Sequence, residues 1–216
     1  GTNYTDSITV QTADGTTQLI TVTITGSNDG PIASAASNTV LEDGTITGNV
    51  SATDADQATG LTYALNGAAP TGLIFNANGS YSFDAASYDS LAGGATQIIT
   101  IPYTVTDANS ATSTANLVIT VTGTNDAAVI SGVSTASLTE TNTALTASGS
   151  LSATDVDSSA AFVAQTGVAG SNGYGSFSID ANGAWSYTAS TAHDEFTAGT
   201  NYTDSITVQT ADGTTQ

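Results

Sequence analysis

The side chains able to do chemistry in this chain are almost all oxygen donors. Its 216 residues include nineteen Asp and Glu and one His but no Lys, Arg or Cys, for a formal charge of −19. The acids recur in pattern. Asn28-Asp29 returns as Asn125-Asp126, and Asp54-Ala55-Asp56 returns as Asp155-Val156-Asp157, each time behind a Ser-Ala-Thr step. Asp107 closes a Val-Thr run, and Asp212 lies two residues past a Val-x-Thr run. Two carboxylates about 4 Å apart repel by about 1 kcal/mol in water and about 4 kcal/mol at an effective dielectric near 20, so convergent acids call for a cation. No basic side chain except His193 could supply one. Carboxylates with amide and backbone carbonyls, without sulfur or imidazole, select a hard cation, and the irregular mixture suits Ca²⁺ better than octahedral Mg²⁺. The expected ligands are therefore Asn28, Asp29, Asp54, Asp56 and Asp107 in one group. Asn125, Asp126, Asp155, Asp157 and Asp212 form a second at equivalent places.

The competing reading of these acids is that they cap turns, as Asp and Asn commonly do. Recurrence of the whole set favours metal. The loop at Asp54 is no EF-hand, since it lacks Gly at its sixth position and an acid at its twelfth, and no calcium β-roll repeat is present. Asp84, Asp89, Asp180 and Asp194 read as turn or surface groups.

Other chemistries find little support. His193 beside Asp194 and Glu195 lacks a nucleophile elbow, and neighbours in sequence rarely make a triad, so it reads as a solvated loop residue. No catalytic residue is named, and the chain is expected not to be an enzyme. Trp185 and Tyr187 could form a glycan platform, but their period-2 spacing favours core packing. Without Lys or Arg nothing neutralises phosphates, which excludes nucleic acid and polybasic attachment to anionic lipid. No apolar run approaches the roughly 20 residues of a membrane span, so no membrane insertion is expected. The absence of Cys removes disulfides, thiolate catalysis and Cys-ligated zinc.

Elements that could position the acids are short strands. With 39% hydrophobic residues and a mean hydropathy of +0.04, the chain can bury cores. Ile20, Val22 and Ile24 alternate with Thr, as do Ile99, Ile101, Tyr103 and Val105, and Leu117, Ile119 and Val121, which predicts strands with one buried face. Asn78-Gly79 and Asn182-Gly183 predict tight hairpins in which both central residues take positive φ. No helical periodicity appears. About seven strands in about 100 residues is the count of an immunoglobulin-like sandwich, so the fold class is all-β.

The chain also repeats itself. Gly1–Gln18 and Gly199–Gln216 are identical, and the run ending at Asp29 resembles the run ending at Asp126. This divides the chain into 1–29, the C-terminal strands of a preceding module; 30–126, a complete sandwich; and 127–216, a sandwich lacking its last strand. One molecule's N-terminal segment could then complete another's C-terminal module, giving head-to-tail copies by strand exchange.

Val50-Ser51-Ala52-Thr53-Asp54-x-Asp56, Leu61-Thr62-Tyr63, Tyr103-Thr104-Val105-Thr106-Asp107 and the closing Asn125-Asp126 resemble a cadherin-type repeat. The stretch from Tyr174-Gly175-Ser176-Phe177 to Trp185-Ser186-Tyr187 resembles the VCBS repeats of giant bacterial surface adhesins of the RTX type, exported by type I secretion. The resemblance implies tandem Greek-key sandwiches end to end, extracellular or surface-held, with structural Ca²⁺ at each junction. By the family pattern Glu42 and Glu140 project from the opposite pole, and Glu42 shares an ion with Asn125 and Asp126. The implied role is a calcium-rigidified stalk supporting adhesion or biofilm. Its partners are neighbouring repeats, and any glycan or cell-surface ligand is met through other domains. A homophilic or glycan-binding module is the alternative.

Overall fold

The computed structural model describes residues 2–216. They form two compact units: residues 2–40, 44–87 and 98–121, and residues 41–43, 88–97 and 122–216. The only helical element among the named ones is a single 3₁₀ turn, Ala86–Tyr88, so the all-β expectation holds.

The first unit opens with a two-stranded hairpin, β1 (Asn3–Gln11) and β2 (Thr17–Thr25), in continuous antiparallel register from Asn3 opposite Thr25 to Gln11 opposite Thr17. Both strands are exposed along their whole length. Ile20, Val22 and Ile24, predicted to lie on a buried face, are 49–64% exposed. Alternation has set the strand and its face, while burial requires a second layer that an isolated hairpin does not have.

The sandwich proper follows, with β3 (Ile32–Ser34), β4 (Ala36–Leu41), β5 (Thr45–Asn49), β6 (Ser51–Thr53), β7 (Thr62–Leu65), β8 (Leu73–Phe75), β9 (Ser80–Asp84), β10 (Thr96–Thr106) and β11 (Thr112–Thr122). One sheet has the order β4-β11-β10-β7, a second β5-β9-β8, and β3 pairs with β6. Val50 splits β5 from β6: it is buried, and its amide turns to the carbonyl of Gly79. Counting β5 and β6 once, and likewise β3 and β4, which only Ala35 parts, turns the nine into seven, the number the sequence predicts. Ile101, Tyr103 and Val105 on β10 and Leu117, Ile119 and Val121 on β11 are at most 1% exposed. Phe83 and Tyr81 of β9 complete the core, and the Tyr103 hydroxyl donates to the carbonyl of Ser34.

The second unit carries β12 (Val129–Gly132), β13 (Thr146–Thr154), β14 (Gln165–Ala169), β15 (Gly175–Ile179) and β16 (Ala184–Ala189), in sheet order β12-β13-β16-β15-β14. Leu151, Phe162, Ile179 and Val208 make its core, with Ile130, Ala153, Trp185 and Ile206 packed around them. Residues 201–208, which copy most of β1, form no named strand. They run beside residues 163–171, joined by the Ser171 amide to Ser205 and the Val163 amide to Gln209.

The Asn-Gly turns differ from expectation. Only Gly79 and Gly183 have positive φ, at 85° and 84°, while their asparagines do not. The loops close as Gly79 amide to Asn76 carbonyl and Gly183 amide to Asp180 carbonyl. This is a type I turn followed by a left-handed residue, whose extra residue moves the glycine one place beyond the turn centre.

Candidate functional site

Turns of this kind position the first acidic group. Asp107 opens the β10–β11 turn, and its Oδ1 accepts the amides of Asn109 at 2.9 Å and Ala111 at 2.7 Å. Its Oδ2 accepts Asn28 Nδ2 at 2.7 Å, and chiefly this bond holds the carboxyl below the usual aspartate range. Asn109 Nδ2 in turn donates to Asn28 Oδ1. Asp54, just past β6, accepts the amides of Asp56 and Gln57 on Oδ1, an Asx turn that shapes the loop. Asp56 Oδ2 lies 3.3 Å from the amide of Asp29. A chain of hydrogen bonds thus joins Asn28 to Asp107 and Asp29 through Asp56 to Asp54. Gln57 and Asn109 belong beside them, since Gln57 Oε1 also accepts the amide of Ala108. Sequence reasoning passed over both, although each stands within two residues of an acid it named.

The second group differs in what it leaves unpaired. Asp155 is fully engaged: Oδ1 accepts the amides of Asp157 and Ser158, and Oδ2 accepts the Ser158 hydroxyl at 2.8 Å. Desolvation pushes its carboxyl up, but these donors outweigh it and the net shift is downward. Both carboxylate oxygens of Asp157 are buried without a hydrogen-bond partner, and so is Oδ2 of Asp126. Desolvation pushes both groups above the ordinary aspartate range, reinforced at Asp157 by Asp155 and at Asp126 by Asp89, Asp43, Asp157 and Glu42.

Glu42 is the most buried acid, at 0% exposure. It stands one residue past β4, its amide held by the Thr122 carbonyl at 3.1 Å. Its Oε1 accepts the Thr124 amide at 2.5 Å and the Thr124 hydroxyl at 3.1 Å, and its Oε2 has no partner. Asp54 Oδ2 is the corresponding orphan in the first group.

Three expectations need amendment. Asp212 does not stand where Asp107 stands. Its turn closes from the Gly213 amide to the Thr210 carbonyl, so Thr210 takes the opening position of Asp107 and Asp212 that of Asn109. The hydroxyls of Thr210 and Thr214 and the amide of Ala128 satisfy Asp212 and hold it well below the usual range. Asp89, read as a surface acid, acts on Asp126 together with Asp43. No local motif marks Asp89, because its role depends on where the 88–97 loop folds. Glu140 is exposed, in a stretch without strand structure. Asn125 is exposed too, its Nδ2 donating to the Asp126 carbonyl.

His193 is also not a solvated loop residue. It has a left-handed backbone, φ 58°, and its ring stacks on Phe196 at 4.7 Å. Its Nδ1 lies 2.8 Å from Glu195 and its Nε2 2.7 Å from the carbonyl of Tyr174, and these acceptors, Glu195 first, raise its pKa.

Among the described residues no three acids or histidines converge as a preformed ligand set. What the structure does show is buried carboxylate oxygens with neither a hydrogen bond nor a basic partner. Such groups are costly unless a cation or donor meets them. Oxygen-only donors of this kind fit a hard divalent cation.

Residues 28–120 match the family model of the bacterial Ig domain, and residues 125–216 match that of the bacterial cadherin-like domain. Two successive segments of the chain, each a little under half of it, are thus similar to bacterial Ig and bacterial cadherin-like domains. Solved structures similar to it include the human desmocollin-1 ectodomain, at TM-score 0.43 and 15% identity, covering 93% of this chain and 38% of that one. Protocadherin gamma B7 extracellular cadherin domains 1–4 give 0.46 and 14%, covering 88% and 58%. Three extracellular domains of mouse cadherin-23 give 0.43 and 19%, covering 87% and 63%. The chain thus spans between 38% and 63% of the length of these solved chains. Among curated proteins no relative matches. Repeats of these two kinds mark a surface-protein segment and are typically non-enzymatic structural modules. No helix of the described residues is long and apolar enough to cross a membrane.

Proposed function

We propose that this chain is a calcium-rigidified spacer in the stalk of a long, secreted or surface-held bacterial adhesin of the RTX type. Its modules are residues 30–126 and 127–216, and its immediate partners are the neighbouring repeats. The observation that carries the reading is Glu42, a fully buried carboxylate with one oxygen unpaired, in a chain without a single Lys or Arg. Asp126 and Asp157 carry three further unpaired buried oxygens, and the fields of Glu42 and Asp157 both reach Asp126, so the ion is to draw these three acids together as it binds. Bound Ca²⁺ supplies the positive charge that these acids lack.

The protein's own contribution is to hold the acids ready. Thr124 fixes one oxygen of Glu42 and leaves the other free, and Asp155 uses both of its own on the turn that presents Asp157. Asp54, Asp56 and Asp29, with Asn28 and Asp107, form a second site on the same principle. Gly123 is held on both sides, its amide by the Ala95 carbonyl and its carbonyl by the Gly94 amide, so bending when the acids repel falls on the short run from Asn125 to Ala127, which an ion fixes. An array of such joints is a rod that can carry an adhesive end away from the cell and support a biofilm.

Calorimetric titration of chelated protein with CaCl₂, MgCl₂ as control, and small-angle scattering on the same sample test the reading. Calcium binding weakened at least tenfold by Glu42→Gln or Asp157→Asn, with an increase in maximum dimension, is expected. Absence of binding in the millimolar range overturns it and returns the acids to the role of turn caps.

A further inference from the structure

Four Asn-Gly pairs occur in the chain, at 66–67, 78–79, 172–173 and 182–183. Such a pair carries its own chemistry. The glycine amide nitrogen attacks the asparagine side-chain carbonyl and closes a five-membered imide, because glycine brings no side chain to hinder the approach. An amide whose proton is committed to a hydrogen bond is a poor nucleophile, so the fold decides which pair reacts.

In three pairs the glycine amide is committed. Gly79 donates to the Asn76 carbonyl at 2.9 Å, Gly173 to that of Gly170 at 3.0 Å and Gly183 to that of Asp180 at 3.0 Å. Each bond closes a turn, and freeing the amide means opening that turn. Two of the asparagines are held as well. Asn78 Oδ1 accepts the amide and the hydroxyl of Ser80, and Asn172 Nδ2 donates to the Thr203 carbonyl at 2.6 Å.

Asn66-Gly67 is different. Edge strand β7 ends at Leu65, and the Asn66 amide donates to the carbonyl of Pro102 on β10 at 2.9 Å. An antiparallel partner would return a bond from its own amide, but proline has none, and the ladder stops there. Gly67 leaves the sheet with φ 134°, both residues of the pair are exposed, and a Cβ built on Gly67 would meet nothing within 4 Å. Among the described residues nothing accepts from the Gly67 amide. The Asn66 side chain keeps one bond, from the Thr104 hydroxyl to Oδ1. A donor there polarises the carbonyl on which negative charge develops during attack, and it leaves the Nδ2 leaving group free.

We infer that Asn66 is a self-modification site, converted through attack by its neighbour Gly67 to aspartate and isoaspartate while the fold protects the other three pairs. The Gly67 amide gives its proton to hydroxide, and its nitrogen bonds to Asn66 Cγ; the Cγ–Nδ2 bond breaks, and Nδ2 takes a proton from water and leaves as ammonia. Water then opens the imide at either carbonyl. One product is aspartate; the other carries the main chain through the former side chain, one methylene longer. Both add a carboxylate, at the exposed end of an edge strand, to a chain with nineteen acids and no Lys or Arg. No cation and no partner enters the reaction, so it stands apart from the spacer reading.

Peptide mapping tests this on the full-length chain, incubated at mildly alkaline pH folded and, in parallel, unfolded in urea. Chymotryptic cleavage after Tyr63, Phe75, Tyr81, Tyr174 and Trp185 puts the four pairs on separate peptides, and mass spectrometry reads the replacement of amide by acid in each. In the folded chain Asn66 is expected to convert on the order of tenfold faster than Asn78, Asn172 or Asn182, and in urea the four rates are expected to converge. Gly67→Ala is expected to slow conversion at Asn66 several-fold, with circular dichroism showing that the variant is folded. Conversion at Asn66 no faster than at the other three in the folded chain overturns the inference. The same ratio of rates folded and in urea, or a folded Gly67→Ala chain that converts as fast as wild type, does so too.

Discussion

Residues 3–11 and 201–209 carry one sequence in two surroundings. The first copy is a regular nine-residue strand with every side chain exposed; the second has almost no regular strand structure, yet buries Val208 and leads into fully buried Thr210. Their turns remain alike. Thr12, Asp14 and Thr16 make the same bonds as Thr210, Asp212 and Thr214, and Gln11 reaches the Gly15 carbonyl as Gln209 reaches that of Gly213. Local chemistry is thus transferable, whereas regularity and burial depend on the layer that faces the segment. Backbone pairing with β2 straightens one copy, while packing on Phe162 bends the other into an irregular path.

The comparison breaks most visibly at the buried valine. Val208→Asp places an unpaired charge in the Leu151–Phe162–Ile179 cluster and should unfold the second unit, a loss of several kcal/mol. Val10→Asp, at low protein concentration, should leave the thermal transition within about 0.5 kcal/mol of wild type. Calorimetric melting of both variants checks this, with Trp185 fluorescence reporting the second unit.

The paired acids come next. Asp204→Ala leaves the amides of Asn172 and Gly175 without an acceptor and should cost about 1–3 kcal/mol, while Asp6→Ala should be near neutral. Gly170→Ala should destabilise by a similar amount through overlap with Asp204, read by urea unfolding.

A smaller effect separates the acids by pH. Asp126 and Asp157 have raised pKa values, so in chelator they bind protons more readily folded than unfolded. Their contribution favours the fold near the ordinary aspartate value of 3.8 and below, and is lost as pH rises through their folded values. Asp212, held low, works in the opposite sense: its contribution is present above 3.8 and is lost as pH falls through its folded value. Melting temperatures with chelator between pH 3 and pH 7 should therefore rise on replacing Asp126 by Asn and fall on replacing Asp212, most clearly at neutral pH. Saturating calcium should remove the first effect and leave the second.

The smallest expected effect is at His193. Its raised pKa means a contribution fully present below about 6.5 and lost as pH rises through the folded value, so wild type and His193→Gln should converge in melting temperature at alkaline pH.

Much of the architecture was legible in sequence because it rests on periodicity. Alternating Ile101, Tyr103 and Val105, and Leu117, Ile119 and Val121, specify both strand and buried face, and the sandwich needs no more than a partner sheet. The acidic motifs were legible as groups, since Asp-x-Asp makes its own turn from neighbouring amides. Asp43 and Asp89 were not, because their fields reach Asp126 through space from separate segments. His193 was misread as solvated in part for the same reason: Tyr174 meets it only after the chain has folded back, whereas Phe196 stacks on it from three residues on, within the local turn.

Composition and spacing alone determined that this chain is all-β, anionic and unable to pair its acids with Lys or Arg. They also determined that its two ends carry one sequence. The tertiary structure decided which carboxylates are left without partners and which copy of that sequence is buried. Hydrogen-bond satisfaction and burial are properties of what surrounds a residue, and identical residues at Val10 and Val208 have different surroundings.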